Sequence, residues 1–215
     1  MPRKNNQKET VERIINAGMQ LFYEKGFDKT SMYDIVEVSD MSKGAIFYHF
    51  KTKEDIFEAA MERQFEYVTG RMHGFLDEMK GLNGKEKLIA LVKRNITDNE
   101  IVSTNEKMMK IGMVSPHIIM AHIRRNVAKG APVMADIIRE GIADGSIITD
   151  FPDEASELFL HLLNFWCDPV LFECNLSTVR RRLECLRRIM KGLGVDIIDE
   201  EVIEITMRIT ENTYS

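Results

Sequence analysis

The sequence predicts an all-α chain. Three observations carry that expectation. No segment alternates apolar and polar residues as a strand does, apolar residues recur at three- and four-residue spacings over most of the chain, and the breaks between these runs hold helix caps and glycines. With 215 residues, 44% of them hydrophobic, the chain can bury a sizeable core. The expected layout is an N-terminal three-helix domain over residues 1–52, which takes in the start of a long connecting helix, 53–80, then a helical domain over 53–215.

The first helix is expected from Gln7 to Lys25, with Val11, Ile14, Ile15, Gly18, Leu21 and Phe22 on one stripe. Asn6 and Glu9 form a capping box before it, and Arg3 and Lys4 precede it as a basic arm. Gly26 closes it, with Phe27 available for the hydrophobic contact beyond. Ser31 caps a second helix, with Asp34 as the reciprocal acid and Met32, Ile35 and Val36 as its apolar face. Ser39 and Asp40 supply a turn, and Met41 packs back on the core. Ser42 then caps a third helix, Lys43 to His49, whose first turn carries the small residues Gly44 and Ala45 and admits close approach of another surface. Phe47, Tyr48 and His49 follow, then Lys51 and Lys53. Helix, short turn, helix, with small and polar residues opening the second member, is how a helix-turn-helix meets the DNA major groove. The pattern also fits a plain helical hairpin with core aromatics. The capped amphipathic helix and basic arm upstream favour the former.

Beyond this, Thr52 and Asp55 cap the connecting helix, whose apolar positions include Ile56, Phe57, Phe65, Met72 and Phe75, and Gly81 and Gly84 end it. At ~1.5 Å per residue it spans about 40 Å. Further helices are expected from Lys85 to about Asn99 and from a Ser103–Glu106 box. Another opens at the Ser115–Pro116 start and runs to Asp144-Gly145, a break near Gly130 to Pro132 being left open. The last three run from Pro152-Asp153 to about Glu173, from a Ser177 cap to about Lys191, and from an Asp199 cap to about Glu211. On Thr178 to Leu193, the residues Val179, Leu183, Leu186, Met190 and Leu193 make a seam for another helix, in the same chain or in a second one.

The run ERIINAGMQLFYEKGFDKTSMYDIVEVSDMSKGAIFYHFKTKEDIFEAAM resembles the DNA-binding domain of the TetR (tetracycline-repressor) family of bacterial transcription regulators. Shared features are Leu-Phe, a Gly-Phe break, a Thr-Ser cap, Ser-Lys-Gly, two aromatics, His-Phe-Lys, and a Lys before an acidic turn. Ala45 stands where a hydroxyl residue is frequent and Phe47 where Tyr is frequent. The resemblance covers roughly the first 60 residues; beyond them it is one of layout only.

The resemblance implies a DNA-binding regulator, usually a repressor, acting on an inverted-repeat operator. Lys43, Gly44 and Ala45 are then expected at base edges. Thr30, Ser31, Ser42, Phe47, Tyr48, His49 and Lys53, with the arm residues Arg3 and Lys4, hold phosphates or position the helix. It also implies a homodimer through the helices Asp153 to Glu173 and Thr178 to Leu193, with Leu162 and Phe165 joining the seam residues, and a small apolar effector in the second domain. The methionine-rich middle suits such a pocket, and its candidates are Phe65, Met72, Met109, Met113, His117, Met120, Phe165 and Trp166; ordinary core is the competing reading for each. A DNA-binding protein of the same fold that answers to a protein partner, or to no ligand, is the alternative.

Charge fits this picture by its distribution. The net charge is −5, but through Lys51 eight basic residues stand against seven acidic ones, and the remainder has 21 against 27. A modest local patch on an acidic body attracts phosphates and limits binding to arbitrary polyanions. An enzyme is not expected, since no phosphate loop, nucleophile elbow or paired-carboxylate signature is present. No metal or cofactor is expected either. Cys167, Cys174 and Cys185 lack metal spacing and read as structural thiols, and His117 and His122 fall on different helix faces. With no run of eighteen apolar residues and no apolar signal core, the expected location is the cytoplasm, with no membrane partner.

Overall fold

The computed structural model of the chain describes residues 3–98, 100–101, 116–169, 172 and 174–214. Its regular elements are α1 (Arg3–Lys25), α2 (Met32–Ser39), α3 (Lys43–His49), α4 (Lys53–Glu78), α5 (Gly84–Thr97), α6 (Pro116–Asp144), α7 (Pro152–His161) continued by a π-turn (Leu162–Trp166), α8 (Leu176–Gly192) and α9 (Glu200–Tyr214). No strand occurs among the described residues, as expected of an all-α chain. They form two compact units. One holds residues 3–70 and the start of α6; the other holds residues 71–101 and the chain from Met120 on.

The first unit closes around three aromatic rings. Phe22 lies 4.8 Å from Phe27 and 6.1 Å from Phe57, centroid to centroid. Ile14, Ile35, Ile46 and Ile56 fill the rest and keep no exposed surface. Ile56, Phe57, Ala60 and Met61 belong to this core, so the unit extends past residue 52 into the first turns of α4. Gly18 is where α1 and α4 touch, since a Cβ there would lie 2.7 Å from Ile56 Cγ2. The predicted boxes form at Ser31–Asp34 and at Thr52–Asp55, where the Asp55 carboxylate accepts from Thr52 N–H at 2.9 Å. Gly26 ends α1 at φ +87°. The start of α1 corrects the expectation. The helix begins at Arg3, so Arg3 and Lys4 are helical instead of forming an arm, because no glycine or proline interrupts the chain between them and Gly18.

In the second unit, Leu88, Ile138, Leu183, Leu186, Met190 and Ile203 are fully buried in one core. Gly81, at φ +103°, follows α4. Gly84 opens α5 and so does not close α4, and it lies against α6: a Cβ on it would meet the Gly141 nitrogen at 2.2 Å. The first amides of α5 find acceptors across this contact, Gly84 N–H on Asp144 Oδ2 at 2.7 Å and Lys85 N–H on Ser146 Oγ at 3.1 Å. Helix α6 runs through Gly130 and Pro132 without a break.

Three expectations for this unit are corrected. The helix from Pro152 stops at the π-turn instead of reaching Glu173: Cys167 N–H donates to Leu162 O at 2.9 Å, and Pro169 has no N–H to continue the ladder and biases Asp168 away from helix. The cap of α8 is Asn175, which accepts from Thr178 N–H at 3.0 Å, and Ser177 already lies inside the helix. The supposed dimer seam is internal. Val179, Leu183, Leu186 and Met190 are buried within the single chain, Leu193 packs against the same core, and α9 and the π-turn lie against α8. Two of the helix's arginines pair with α9 at the surface, Arg180 with Glu204 at 2.6 Å and Arg187 with Glu200 at 3.0 Å. The Ser103–Glu106 helix falls outside the described residues.

Candidate nucleic-acid interface

Helix α3 has only seven residues, and one of them, Ile46, is buried. Ser42 starts it by accepting from Ala45 N–H at 3.2 Å. The turn before it is made by Asp40 at φ 53°, a left-handed conformation that Asp tolerates better than most side chains. The first turn therefore stands outward: Ser42, Lys43 and Gly44 are exposed, and a Cβ on Gly44 would meet nothing within 4 Å. Nothing among the described residues requires glycine there. Tyr48 is 73% exposed and edge-on to His49, the ring centroids 5.0 Å apart. Ala45, Phe47 and His49 are half-buried beneath this surface.

Two further predicted contacts are committed inside the fold. Thr30 is buried, and its hydroxyl donates to Gly26 O at 2.8 Å, closing the end of α1. The Lys53 ammonium donates to Phe27 O at 2.8 Å and to Asp28 O at 3.3 Å, and lies 4.5 Å from the Phe27 ring centroid. It braces the α1–α2 corner against the start of α4. Ser31 stays exposed, its hydroxyl and amide both on Asp34. Lys25 beside Asp34, followed by the Ser31 hydroxyl and amide, holds that carboxyl far below its ordinary range. Lys51, exposed, donates to Phe47 O.

One exposed residue escaped the sequence reading. Tyr33, on α2, accepts from Lys43 Nζ at 2.9 Å and lies under the ammonium, 4.7 Å from its centroid. The signal was available in part, because position 33 falls off the Met32, Ile35 and Val36 face. The pairing across the turn depends on how two helices pack, which periodicity does not report. Together these exposed groups offer hydroxyls, an ammonium and the first-turn amides of a helix, a set suited to a phosphodiester backbone.

The expected effector residues are scattered. Arg182 donates to Trp166 O at 2.6 Å and lies over the rings of Trp166 and Phe172, and Phe165 is edge-on to Phe172 at 5.0 Å. Met72 packs against the second core, Phe65 belongs to the first unit, Met120 is exposed, and His117 lies in the first turn of α6. Met109 and Met113 are outside the described residues. One cleft of the second unit, about 280 Å³, is lined by Arg71, Arg94, Thr97, Asp98 and Glu100. Burial alone would raise the Asp98 carboxyl, but Arg71, 2.5 Å away, and the amides of Ile101 and Glu100 bring it below its ordinary value.

An all-helical chain with a capped helix-turn-helix at its N-terminus is of the class of helix-turn-helix regulatory proteins. Residues 14–60 match the family of bacterial regulatory proteins described as the tetR family, and residues 100–189 match the tetracyclin repressor-like C-terminal domain. The chain belongs to the TetR family. It is 35% identical over 57 residues to the Staphylococcus aureus negative transcriptional regulator IcaR of the biofilm operon icaADBC, covering 26% of this chain and 31% of IcaR. The matches to the first curated relatives span 28% to 59% of those proteins. A TetR-family regulator from Syntrophomonas wolfei shares the fold with TM-score 0.63 and 20% identity, over 96% of this chain and 95% of that one. RolR, solved in complex with its ligand resorcinol, does so with TM-score 0.59 and 17% identity, over 96% and 97%. Among the described residues no helix is long and apolar enough to cross a membrane.

Proposed function

We propose that the protein is a DNA-binding transcriptional regulator, a repressor that holds an inverted-repeat operator as a homodimer. The observation that carries this is the first turn of α3, where Lys43 and Gly44 stand outward with no structural work in the core. Its family membership and the role of IcaR as a negative transcriptional regulator support the repressor assignment. The partner surface lies outside the buried stripe of α8; Leu162 and Phe165, half-buried, remain available to it. Two reading helices related by a two-fold axis sit roughly 34–36 Å apart, or a multiple of that, which requires a palindromic site. Selection from a random duplex library tests this: enrichment of an inverted repeat is expected, and failure to enrich any sequence overturns it.

A small organic effector, bound in the second unit, releases the DNA. The resorcinol bound by RolR supports this reading by analogy of fold. Helix α4 is the route of coupling, because its first turns are core of the first unit and its end belongs to the second. By linkage, the effector binds the DNA-bound form more weakly, by about 1–3 kcal/mol in typical cases. Calorimetric titration of an effector found by thermal-shift screening, against free and DNA-bound protein, checks it. Equal affinities would exclude that compound as inducer.

A further inference from the structure

Tyr33 stands on α2, one helix away from the candidate reading helix, and 63% of it is exposed. Across the turn, Lys43 Nζ donates to its phenol oxygen at 2.9 Å. A phenol that accepts from an ammonium still has its own O–H to give. The neighbouring ammonium also holds this phenol below its ordinary titration range, which makes the O–H a stronger donor. Lys43 is ordered in return, its ammonium lying 4.7 Å from the Tyr33 ring centroid and 5.7 Å from that of Phe47. The free donor of the pair thus points to an acceptor, and the adjacent positive charge selects an anionic one. In a helix-turn-helix the first helix crosses the DNA backbone while the second enters the groove. A phosphate oxygen therefore fits better than a base edge.

We propose that Tyr33 is a phosphate anchor on the first helix of the motif: its O–H donates to a backbone phosphate oxygen while its oxygen holds the Lys43 ammonium at the start of α3. The proposal rests on the DNA-binding reading above. Tyr33 acts both as a direct phosphate contact and as a positioning residue for Lys43.

The test uses the full-length protein, a duplex that the wild type selects from a random library, and a scrambled duplex of the same composition, with Tyr33→Phe, Lys43→Met and the double variant. Phe keeps the ring and removes the hydroxyl, which is both the donor offered to phosphate and the acceptor of the Lys43 ammonium. Tyr33→Phe is expected to weaken both duplexes in parallel, roughly tenfold. Its salt dependence stays that of the wild type, because a neutral group releases no counterion, whereas Lys43→Met lowers the slope by about 1. In the Lys43→Met background the Tyr33→Phe loss shrinks to below about threefold, the signature of a coupled pair. Thermal unfolding of Tyr33→Phe stays at the wild-type midpoint. Wild-type affinity of Tyr33→Phe for both duplexes overturns the proposal, as does a loss confined to the selected duplex, which would mark a base contact. If the wild type itself selects no duplex, the DNA-binding reading fails first.

Discussion

Gly84 and Gly141 meet backbone to backbone, with room for no side chain on Gly84: a Cβ there would lie 2.4 Å from the Gly141 Cα. On an open helix, Gly→Ala stabilises by roughly 0.5–1 kcal/mol. Here the sign reverses. Gly84→Ala is expected to lower the stability of the second unit by about 1–3 kcal/mol, since the atom it would meet is backbone that cannot rotate away. Urea unfolding checks it, and a raised midpoint would show that α5 and α6 part freely.

Leu186 has no exposed surface within one chain. Leu186→Glu therefore puts a carboxylate into the core of the second unit and does not create a soluble monomer. The expected loss is ~3 kcal/mol or more, read as collapse of the thermal transition and of helical circular dichroism. A folded Leu186→Glu monomer in sedimentation would restore the stripe to a partner surface.

Lys53 separates bracing from DNA contact. Lys53→Met keeps the stem over Phe27 and removes the donor to Phe27 O and Asp28 O. A loss of about 1 kcal/mol in the first unit is expected without any DNA present, measured by chemical denaturation. Unchanged stability would leave phosphate contact as its role.

The Asp34 carboxyl is held far below its ordinary 3.8, by Lys25 first and Ser31 next. A group whose folded value is depressed contributes stability above its unfolded value, and that contribution is lost as pH falls through the folded one. The gap in unfolding midpoint between wild type and Asp34→Asn should be present at neutral pH and narrow below pH 3.8. A gap that widens on acidification would contradict the assignment.

Burial pushes the Cys167 thiol up to about 12, whereas Cys185 is exposed. The thiolate is the species that alkylates. Iodoacetamide at mildly alkaline pH should modify Cys185 first and reach Cys167 only after denaturation. Peptide mass spectrometry reads the order, and early labelling of Cys167 would show that its core opens.

The first unit was legible because its determinants are local. The Ser31–Asp34 box, the Ser42 cap and Gly26 each act within a few residues, and each forms as the sequence indicates. What failed required knowledge of packing. The stripe on α8 has the periodicity of a seam whichever chain covers it, and only the position of α9 and the π-turn decides the matter. Thr30 and Lys53, expected to hold phosphates or position the helix, each donate to carbonyls of the α1 end and corner, pairings that periodicity does not report. Gly84 and Gly141 are 57 residues apart, so their contact left no trace in any window.

The emptiness around Gly44 has a consequence for how such a protein diversifies. A position where an added Cβ would touch none of the chain's own atoms can be exchanged with little folding penalty, and exposed Tyr48 shares much of that freedom. Inheritance can then alter which DNA is chosen while the scaffold stays fixed, because the substitutions that retarget the surface are not those that threaten survival of the fold. Lineages that duplicate such a gene can explore new targets in single mutational steps.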